Sequence, residues 1–176
     1  LEKVPAIQKR IIESARRAGR FVITATQMLE SMMESPNPTR AEVSDVANAI
    51  YDGTDAVMLS GETSAGRFPV QAVRTMARIA AETDSELTAR PYREPELDGR
   101  RGFDEIIADA ATEAVWGAGL NAIVVFTTSG STARLLARQR PPVPIYAFTP
   151  SLDLCRQMSV LYGVHPVPAP KLDSVD

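Results

Sequence analysis

The fold is decided by the stretch Phe21-Val-Ile-Thr-Ala-Thr-Gln-Met-Leu-Glu30, which is followed further along the chain by Met58-Leu-Ser-Gly-Glu-Thr63. Short apolar runs at these two places predict buried parallel strands over residues 21–26 and 55–59. Each run ends in side chains that carry hydroxyl, amide or carboxylate groups. Because α/β barrels keep their active sites at the carboxyl ends of their strands, this pattern predicts two barrel strands with chemically useful groups at their ends.

Helices are predicted on either side of these strands. Residues 5–17 carry apolar side chains at helical spacing, and a short helical turn is predicted over residues 28–33. Thr39 and Glu42 are spaced as a capping box, in which each side chain satisfies an unpaired backbone N–H at a helix start. A helix over residues 69–85 begins at a proline, which is tolerated at that position.

A second α/β part follows a break in this pattern. Residues 87–100 are polar, contain two prolines and show neither helical nor strand periodicity, so we predict an interdomain linker there. Alternation of helices and strands without hairpin signals then resumes, which favours a parallel sheet. The predicted helices cover residues 103–118, 131–140 and 151–161, and the predicted strands cover residues 122–126, 143–148 and 164–167.

The sequence therefore predicts a mixed α/β protein with two domains. Residues 1–86 are interpreted as a partial (β/α) barrel segment, and residues 101–176 as a truncated three-layer α/β/α domain with a mostly parallel sheet. A barrel closes with eight strands, and two strands alone would leave both sheet edges unpaired. We expect the first part to need more chain, a partner or a rearranged packing. The chain begins without methionine, so we also expect it to have been cut from a longer protein.

Composition argues against several classes of function. The net charge is −3, basic residues form no run and aromatic residues are few, so no nucleic-acid partner is expected. The single cysteine, Cys155, allows no internal disulfide, and no Cys/His cluster predicts a zinc site. The sequence has no apolar stretch of roughly 18 residues and no signal-peptide pattern, so we expect a cytoplasmic protein without membrane contact.

The first candidate site lies at the end of the first predicted strand. Thr26 and Gln27 would leave this strand on the side of the cleft, where a hydroxyl can hold a water molecule or pass a proton along a hydrogen-bonded chain. The alternative is local hydrogen bonding, which threonine commonly makes at a strand-to-helix turn.

The second candidate site lies at the end of the next strand. Ser60 and Glu62 are two residues apart, so in extended backbone they would face the same side. Gly61 would let a ligand or neighbouring backbone come close. A carboxylate beside a hydroxyl could tune proton delivery, or Glu62 and Thr63 could simply cap the helix that follows.

The third candidate site is the segment Phe126-Thr-Thr-Ser-Gly-Ser-Thr132, between a predicted strand and a predicted helix. Backbone N–H groups at a helix start, together with several hydroxyl groups, can cradle an anion. Helix capping by the same hydroxyl groups is the alternative. The residues concerned are Thr127, Thr128, Ser129, Gly130, Ser131 and Thr132.

Taken together, these blocks resemble the pyruvate kinase family over residues 2–168, most specifically in residues 25–33, 38–48 and 58–63. The resemblance implies an enzyme that transfers a phosphoryl group from phosphoenolpyruvate to ADP. Thr26 matches the family threonine that is implicated in proton delivery, and Ser60 and Glu62 match the polar pair that continues its water network. Arg40 matches an arginine near a subunit contact of the family, whose complete members are usually homotetramers. A solvated residue at a helix start is the alternative reading of Arg40.

The same resemblance implies that part of the active site is missing. The family's phosphoryl-transfer lysine and its ligands for Mg²⁺ and K⁺ would precede Leu1, and its lid domain is also absent from the sequence. Phosphoryl transfer relies mostly on positioning and on charge neutralisation by such groups. We therefore expect the chain alone not to turn over.

The resemblance also implies an effector site. The segment from Thr127 to Thr132 matches the loop that holds a phosphate of a sugar-phosphate activator in the family's C-terminal domain. Thr128 stands where members activated by fructose bisphosphate often have lysine, so a monophosphate such as a hexose phosphate, a pentose phosphate or AMP is left equally open. Two rival interpretations remain: a non-catalytic phosphometabolite-binding or interaction module, and a piece without a function of its own.

Overall fold

The computed structural model of the protein describes residues 2–25, 27–88 and 102–171. The chain divides into two compact units, residues 1–87 and residues 88–176. Each unit contains a parallel sheet and helices, which confirms the predicted α/β fold class. The domain boundaries drawn from the sequence remain a prediction, because most of the predicted linker lies outside the described residues.

The first unit is built from two short strands with helices around them. Its strands β1 and β2 pair in parallel, with Ile23 beside Ala56 and Thr24 beside Val57. Their carboxyl ends therefore emerge next to each other. The elements are α1 (Val4–Arg17), β1 (Ile23–Thr24), a 3₁₀ helix (Glu30–Met33), α2 (Arg40–Tyr51), β2 (Ala56–Val57), α3 (Gly61–Ser64) and α4 (Pro69–Thr88).

Both strands are shorter than predicted because side chains replace part of the ladder. The N–H of Thr24 donates to the hydroxyl oxygen of Thr54 at 3.1 Å, and the N–H of Val22 donates to Asp55 Oδ2 at 2.8 Å. Thr54 is buried, and its hydroxyl lies within hydrogen-bonding distance of the carbonyl oxygens of Val22, just before β1, and of Ala56 in β2. These side chains satisfy the backbone groups that a longer ladder would otherwise pair.

The core of the first unit joins the turn after β1 to helices α2 and α4. Helix α2 begins with the predicted capping box: Thr39 Oγ1 accepts the Glu42 N–H at 3.3 Å, and Glu42 Oε2 accepts the Thr39 N–H at 2.7 Å. This cap directs the apolar face of α2 against the turn. The buried side chains are Met28, Leu29, Met32, Val46, Ile50, Ala72 and Met76.

The second unit is a three-stranded parallel sheet in the order β3-β4-β5 with three helices. The bounds of α5 and α6 follow the prediction closely, and glycines flank α5 at both ends. Helix α7 begins after its predicted cap, Ser151, but ends three residues earlier than predicted. The elements are α5 (Phe103–Ala118), β3 (Ile123–Phe126), α6 (Ser131–Gln139), β4 (Ile145–Thr149), α7 (Leu152–Met158) and β5 (Val164–Pro168).

The helices of the second unit cover one face of its sheet. Ile145 and Ala147 on the central strand are fully buried in a core with side chains of all three helices. Alternate residues point the other way, so Val124 and Phe126 are 58% and 62% exposed. Alternate residues of β3 therefore face the core and solvent up to the start of the loop that follows this strand.

Gly130 ends that loop in a backbone conformation that only glycine adopts readily. Its φ is +78°, and an added Cβ would lie 3.0 Å from Leu154 Cδ1. We expect Gly130→Ala to lower the free energy of unfolding of the second unit by about 1–2 kcal/mol, because an L-residue is disfavoured in the left-handed region. Denaturant unfolding followed by the fluorescence of Trp116, the single tryptophan, measures this change. Gly117→Ala is the control, since its Cβ would meet nothing within 4 Å; equal losses in the two variants would contradict the prediction.

Candidate functional site

The turn after β1 carries a residue in an unusual backbone conformation. Gln27 has a φ of +52°, which is uncommon for a residue other than glycine. Such a conformation persists only where the surroundings enforce it, and it is frequent at functional sites. The adjacent candidate, Thr26, lies outside the described residues.

The surroundings that enforce this turn include the buried carboxylate of Glu62. Its Oε1 accepts the N–H of Leu29 at 3.1 Å, and its Oε2 accepts the N–H of Ser60 at 2.8 Å. Glu62 is only 4% exposed. One side chain therefore ties the turn after β1 to the turn after β2, and it holds the two strand ends together.

Glu62 and Ser60 do not share one face of an extended strand, as the sequence spacing suggested. Helix α3 begins at Gly61, so the Glu62 side chain turns inward while Ser60 remains exposed. The carbonyl oxygen of Ser60 accepts the N–H and the hydroxyl of Thr63, each at 3.2 Å. The exposed Ser60 side chain is thus presented at the strand end by a closed turn.

The hydrogen bonds of Glu62 keep it ionised. Burial raises the pKa of this carboxyl, but the donors around it, including the N–H groups of Ser60 and Leu29, outweigh burial and lower the pKa below its ordinary value. The negative charge of Glu42 opposes this lowering to a smaller degree. At neutral pH the strand ends are therefore bridged by a carboxylate anion.

Glu42, on helix α2, is hydrogen-bonded to the same turn. Its Oε1 accepts the N–H of Ser31 at 2.6 Å, and its Oε2 accepts the hydroxyl of Ser31 at 2.5 Å, in addition to the capping bond from the Thr39 N–H. Burial raises the pKa of Glu42, and the bonds from Ser31 and Thr39 lower it further than burial raises it. The turn after β1 is thus held by two carboxylates from two different helices.

Two glycines allow α3 to approach this turn closely. An added Cβ at Gly66 would lie 2.6 Å from the carbonyl oxygen of Glu62 and 3.2 Å from Met33 Cα, and at Gly61 it would lie 3.1 Å from Met33 Sδ. The N–H of Arg67 donates to the Met33 carbonyl at 2.8 Å. The absence of side chains at these glycines therefore brings the Glu62 carboxylate within reach of the turn.

A cavity of about 520 Å³ opens beside the same strand end. Gln27 and Met28 contribute to it from the turn, and α1 and α2 supply its walls. Lys9 and Asp52, which line it, form an ion pair. The remaining lining residues are Val4, Pro5, Gln8, Ala25, Asp45 and Asn48.

The candidate loop of the second unit is closed by its own threonine. The N–H of Thr127 donates to the Phe148 carbonyl at 2.9 Å, which fixes the loop to the sheet, and the Thr127 hydroxyl accepts the Gly130 N–H at 2.8 Å. Thr127 is buried, whereas Thr128 and Ser129 are exposed. Thr127 therefore supports the loop, and its neighbours face solvent.

Helix α6 begins directly after this loop. Ser131 is exposed and Thr132 half-buried in its first turn, where backbone N–H groups have no partner within the helix. The hydroxyl oxygens of Ser129 and Ser131 lie 2.9 Å apart. The structure thus brings the six predicted loop residues together around one helix start, with the side chains of Thr128, Ser129 and Ser131 exposed to solvent.

Three further predictions concern Arg40, a metal site and a membrane-spanning helix. Arg40 is the exposed first residue of α2. In the described part of the chain, no three His, Cys, Asp or Glu side chains converge as a metal site. No helix within the described ranges is long and apolar enough to span a membrane.

Sequence reasoning missed the partners of the two carboxylates. Leu29 and Ser31 take part through their backbone N–H groups, which no residue-type pattern reveals. The one signal in the sequence was the capping box, which predicted Glu42 at a helix start but not its second set of bonds.

Comparison with protein families assigns both units. Residues 1–73 match the family model described as pyruvate kinase, barrel domain, and residues 105–176 match the one described as pyruvate kinase, alpha/beta domain. A parallel strand pair with polar groups at its carboxyl ends, followed by a separate α/β unit, is thus the arrangement of a barrel enzyme with an additional domain. The chain belongs to the pyruvate kinase family.

Individual relatives agree with this assignment. The pyruvate kinase of Clostridium acetobutylicum is 44% identical over 177 residues, covering 100% of this chain and 37% of the relative. That of Staphylococcus aureus is 49% identical over 170 residues, covering 94% of this chain and 28% of the relative. The crystal structure of a Cryptosporidium parvum pyruvate kinase matches with a TM-score of 0.90 and 38% identity, covering 98% of this chain and 36% of that one. The chain thus spans about a third of the length of the relatives it matches.

The lowered pKa of Glu62 gives a prediction with a defined pH dependence. Because the folded-state pKa lies below the unfolded value near 4.5, its stabilisation is present above that pH and is lost as the pH falls through the folded pKa. We expect Glu62→Gln to lower the free energy of unfolding of the first unit at pH 7 by about 1–3 kcal/mol, since the amide nitrogen cannot accept a buried N–H.

Amide hydrogen exchange of Val46 and Ile50, buried on α2, measures the stability of the first unit. The difference between wild type and Glu62→Gln should shrink as the pH falls below 4.5. Glu30→Gln, at an exposed position of the same turn, is the control and should change little. A loss that stays constant with pH would show that the carboxylate charge does not stabilise the turn.

Proposed function

We propose that this chain is part of an enzyme that transfers the phosphoryl group of phosphoenolpyruvate to ADP, giving pyruvate and ATP. The family assignment supports this proposal, and so does the pair of strand ends that Glu62 holds together. Barrel enzymes carry their chemistry at such strand ends. The relatives with this name are about three times as long as the chain, so other segments contribute to the complete site.

We assign different roles to the two residues after β2. The exposed Ser60 hydroxyl can hold a water molecule at the strand end and so take part, with Thr26, in delivering a proton to the enolate. Glu62 is ionised at neutral pH and both of its oxygens accept backbone N–H groups, so it has no proton to give. Its proposed role is to orient the two turns that carry Ser60 and Thr26.

The proposed phosphoryl transfer also uses Mg²⁺ and K⁺, as the family implies. The described residues hold no acidic cluster for either ion, and our proposal assigns them no part in binding these ions. Divalent ions neutralise the charge that develops on the transferred phosphoryl group. The residues of this chain would instead serve the protonation that follows.

We further propose that the loop of residues 127–132 binds the phosphate of an effector, a sugar phosphate or AMP. Its exposed hydroxyl groups and the N–H groups of the first turn of α6, which have no acceptor within the helix, would surround the phosphate oxygens. All six residues of this loop belong to the second unit, which supports the second candidate function, a non-catalytic phosphometabolite-binding module. For Arg40, exposed at the start of α2, we propose a place in the subunit contact of a homo-oligomer.

The catalytic proposal is tested by restoring the rest of the enzyme. We expect the 176-residue chain alone to show no turnover with phosphoenolpyruvate, ADP, Mg²⁺ and K⁺. A chimera in which the chain replaces its aligned segment of the Clostridium acetobutylicum relative should be active. Ser60→Ala in this chimera should lower kcat about 100-fold, within the range of general acid–base catalysis.

Ser64→Ala is the control, since this exposed serine lies in the same short helix. A folded chimera without activity, or one that Ser60→Ala leaves unchanged, would contradict the proposed roles. Turnover by the isolated chain would show that the missing groups are not required.

The effector proposal is tested by thermal shift with AMP, ribose 5-phosphate, glucose 6-phosphate and fructose 1,6-bisphosphate. A ligand at a hundred times its Kd should stabilise the second unit by about 2.7 kcal/mol. Ser129→Asp should abolish the shift by placing a like charge beside the phosphate. Ser151→Asp, which caps α7 instead, is the matched control. A shift that survives Ser129→Asp would place the ligand elsewhere.

A further inference from the structure

The turn of residues 27–33 is fixed more firmly than its short length would suggest. Leu29 and Met32 are fully buried below it, and the N–H groups of Leu29 and Ser31 are taken by carboxylates of Glu62 and Glu42 at 3.1 and 2.6 Å. Gln27, whose positive φ is strained for a residue other than glycine, is the first residue of the turn. Such strain persists where the surrounding structure over-determines the backbone.

Glu42 does more here than cap a helix. For a capping box the Glu42 carboxylate needs to accept only the backbone N–H of Thr39, which donates to Oε2 at 2.7 Å. The other oxygen, Oε1, accepts the Ser31 N–H at 2.6 Å, and Oε2 also accepts the Ser31 hydroxyl at 2.5 Å. Two of the four donors around this carboxylate therefore belong to the turn and not to the helix.

We propose that Glu42, acting through Ser31, is a positioning residue for the reaction. Its hydrogen bonds to Ser31 hold the backbone of the turn of residues 27–33 in a fixed position relative to the end of β1. The inference rests on the proposed function for its catalytic consequence. Glu62 fixes the start of the turn at Leu29, and Glu42 fixes its second half at Ser31. Loss of either bond would let the strand end shift, and small displacements of reacting groups slow the chemical step strongly.

Two single substitutions separate positioning from capping. Ser31→Ala removes the hydroxyl bond to Glu42 and leaves the capping box in place, whereas Thr39→Ala removes the capping hydroxyl and leaves both contacts of Ser31. In the active chimera we expect Ser31→Ala and Glu42→Gln to lower kcat about ten-fold with KM for phosphoenolpyruvate within about two-fold, because the turn serves the chemical step. Thr39→Ala should keep kcat within about two-fold.

The same variants are compared in the 176-residue chain by amide hydrogen exchange, which requires no activity. Glu42→Gln should speed exchange of the Ser31 amide about ten-fold, the effect expected for a weakened hydrogen bond to a charged acceptor. The amides of Val46 and Ala49 in α2, buried in the same unit, report whether the fold is retained. Glu30→Gln is the neutral control for charge removal in the turn.

The possible outcomes distinguish the positioning role of Glu42 from the proposed function of the chain. If Thr39→Ala reproduces the loss of kcat and Ser31→Ala does not, Glu42 is a helix cap only and the inference is wrong. If Glu42→Gln raises KM and leaves kcat unchanged, the turn serves substrate binding and the inference is wrong as well. If the wild-type chimera folds but is inactive, the proposed function fails, and selective exchange at Ser31 still decides whether Glu42 positions the turn.

Discussion

The rest of the first unit depends on one charge that is buried but fully hydrogen-bonded. Two parallel strands emerge side by side, but no ladder continues into the turns that follow them. The carboxylate of Glu62 supplies the missing connection by accepting one N–H from each turn. Burying an ion is costly unless its hydrogen bonds are satisfied, so this arrangement is stable only while both turns keep their places. The same hydrogen bonds from the two turns lower the pKa of Glu62.

The second unit positions its polar loop without any charge. Thr127 is anchored to the sheet by its backbone and closes the loop with its hydroxyl, and Gly130 supplies the left-handed turn into α6. A neutral network leaves the exposed hydroxyl groups as donors and adds no anion of its own. This difference is consistent with our proposals, an anionic ligand at the loop and chemistry on protons and water at the strand ends of the first unit.

Local signals predicted the parts of the structure that local bonds determine. The capping box of Thr39 and Glu42 and the bounds of α5 follow from neighbours in sequence, and both were predicted correctly. The two strands of the first unit were predicted too long, because the hydroxyl of Thr54 takes a backbone bond 30 residues away in sequence. Glu62 was singled out by its place after a strand, but its partner Leu29 is 33 residues distant and contributes only backbone. Residue types reveal a candidate site, whereas the contacts that hold it arise only when the strands pair.

The state of Glu62 also limits where the proton of the proposed reaction can come from. A general acid works best when its pKa lies near the working pH, and a carboxyl with a pKa below its ordinary value is deprotonated at pH 7. Both oxygens of Glu62 in addition accept backbone N–H groups, and these bonds stabilise the charged form of the carboxyl. We therefore propose that the proton passes through a hydroxyl or a water molecule at the strand ends. Ser60, which is exposed at the strand end, is the residue that we propose to order that water.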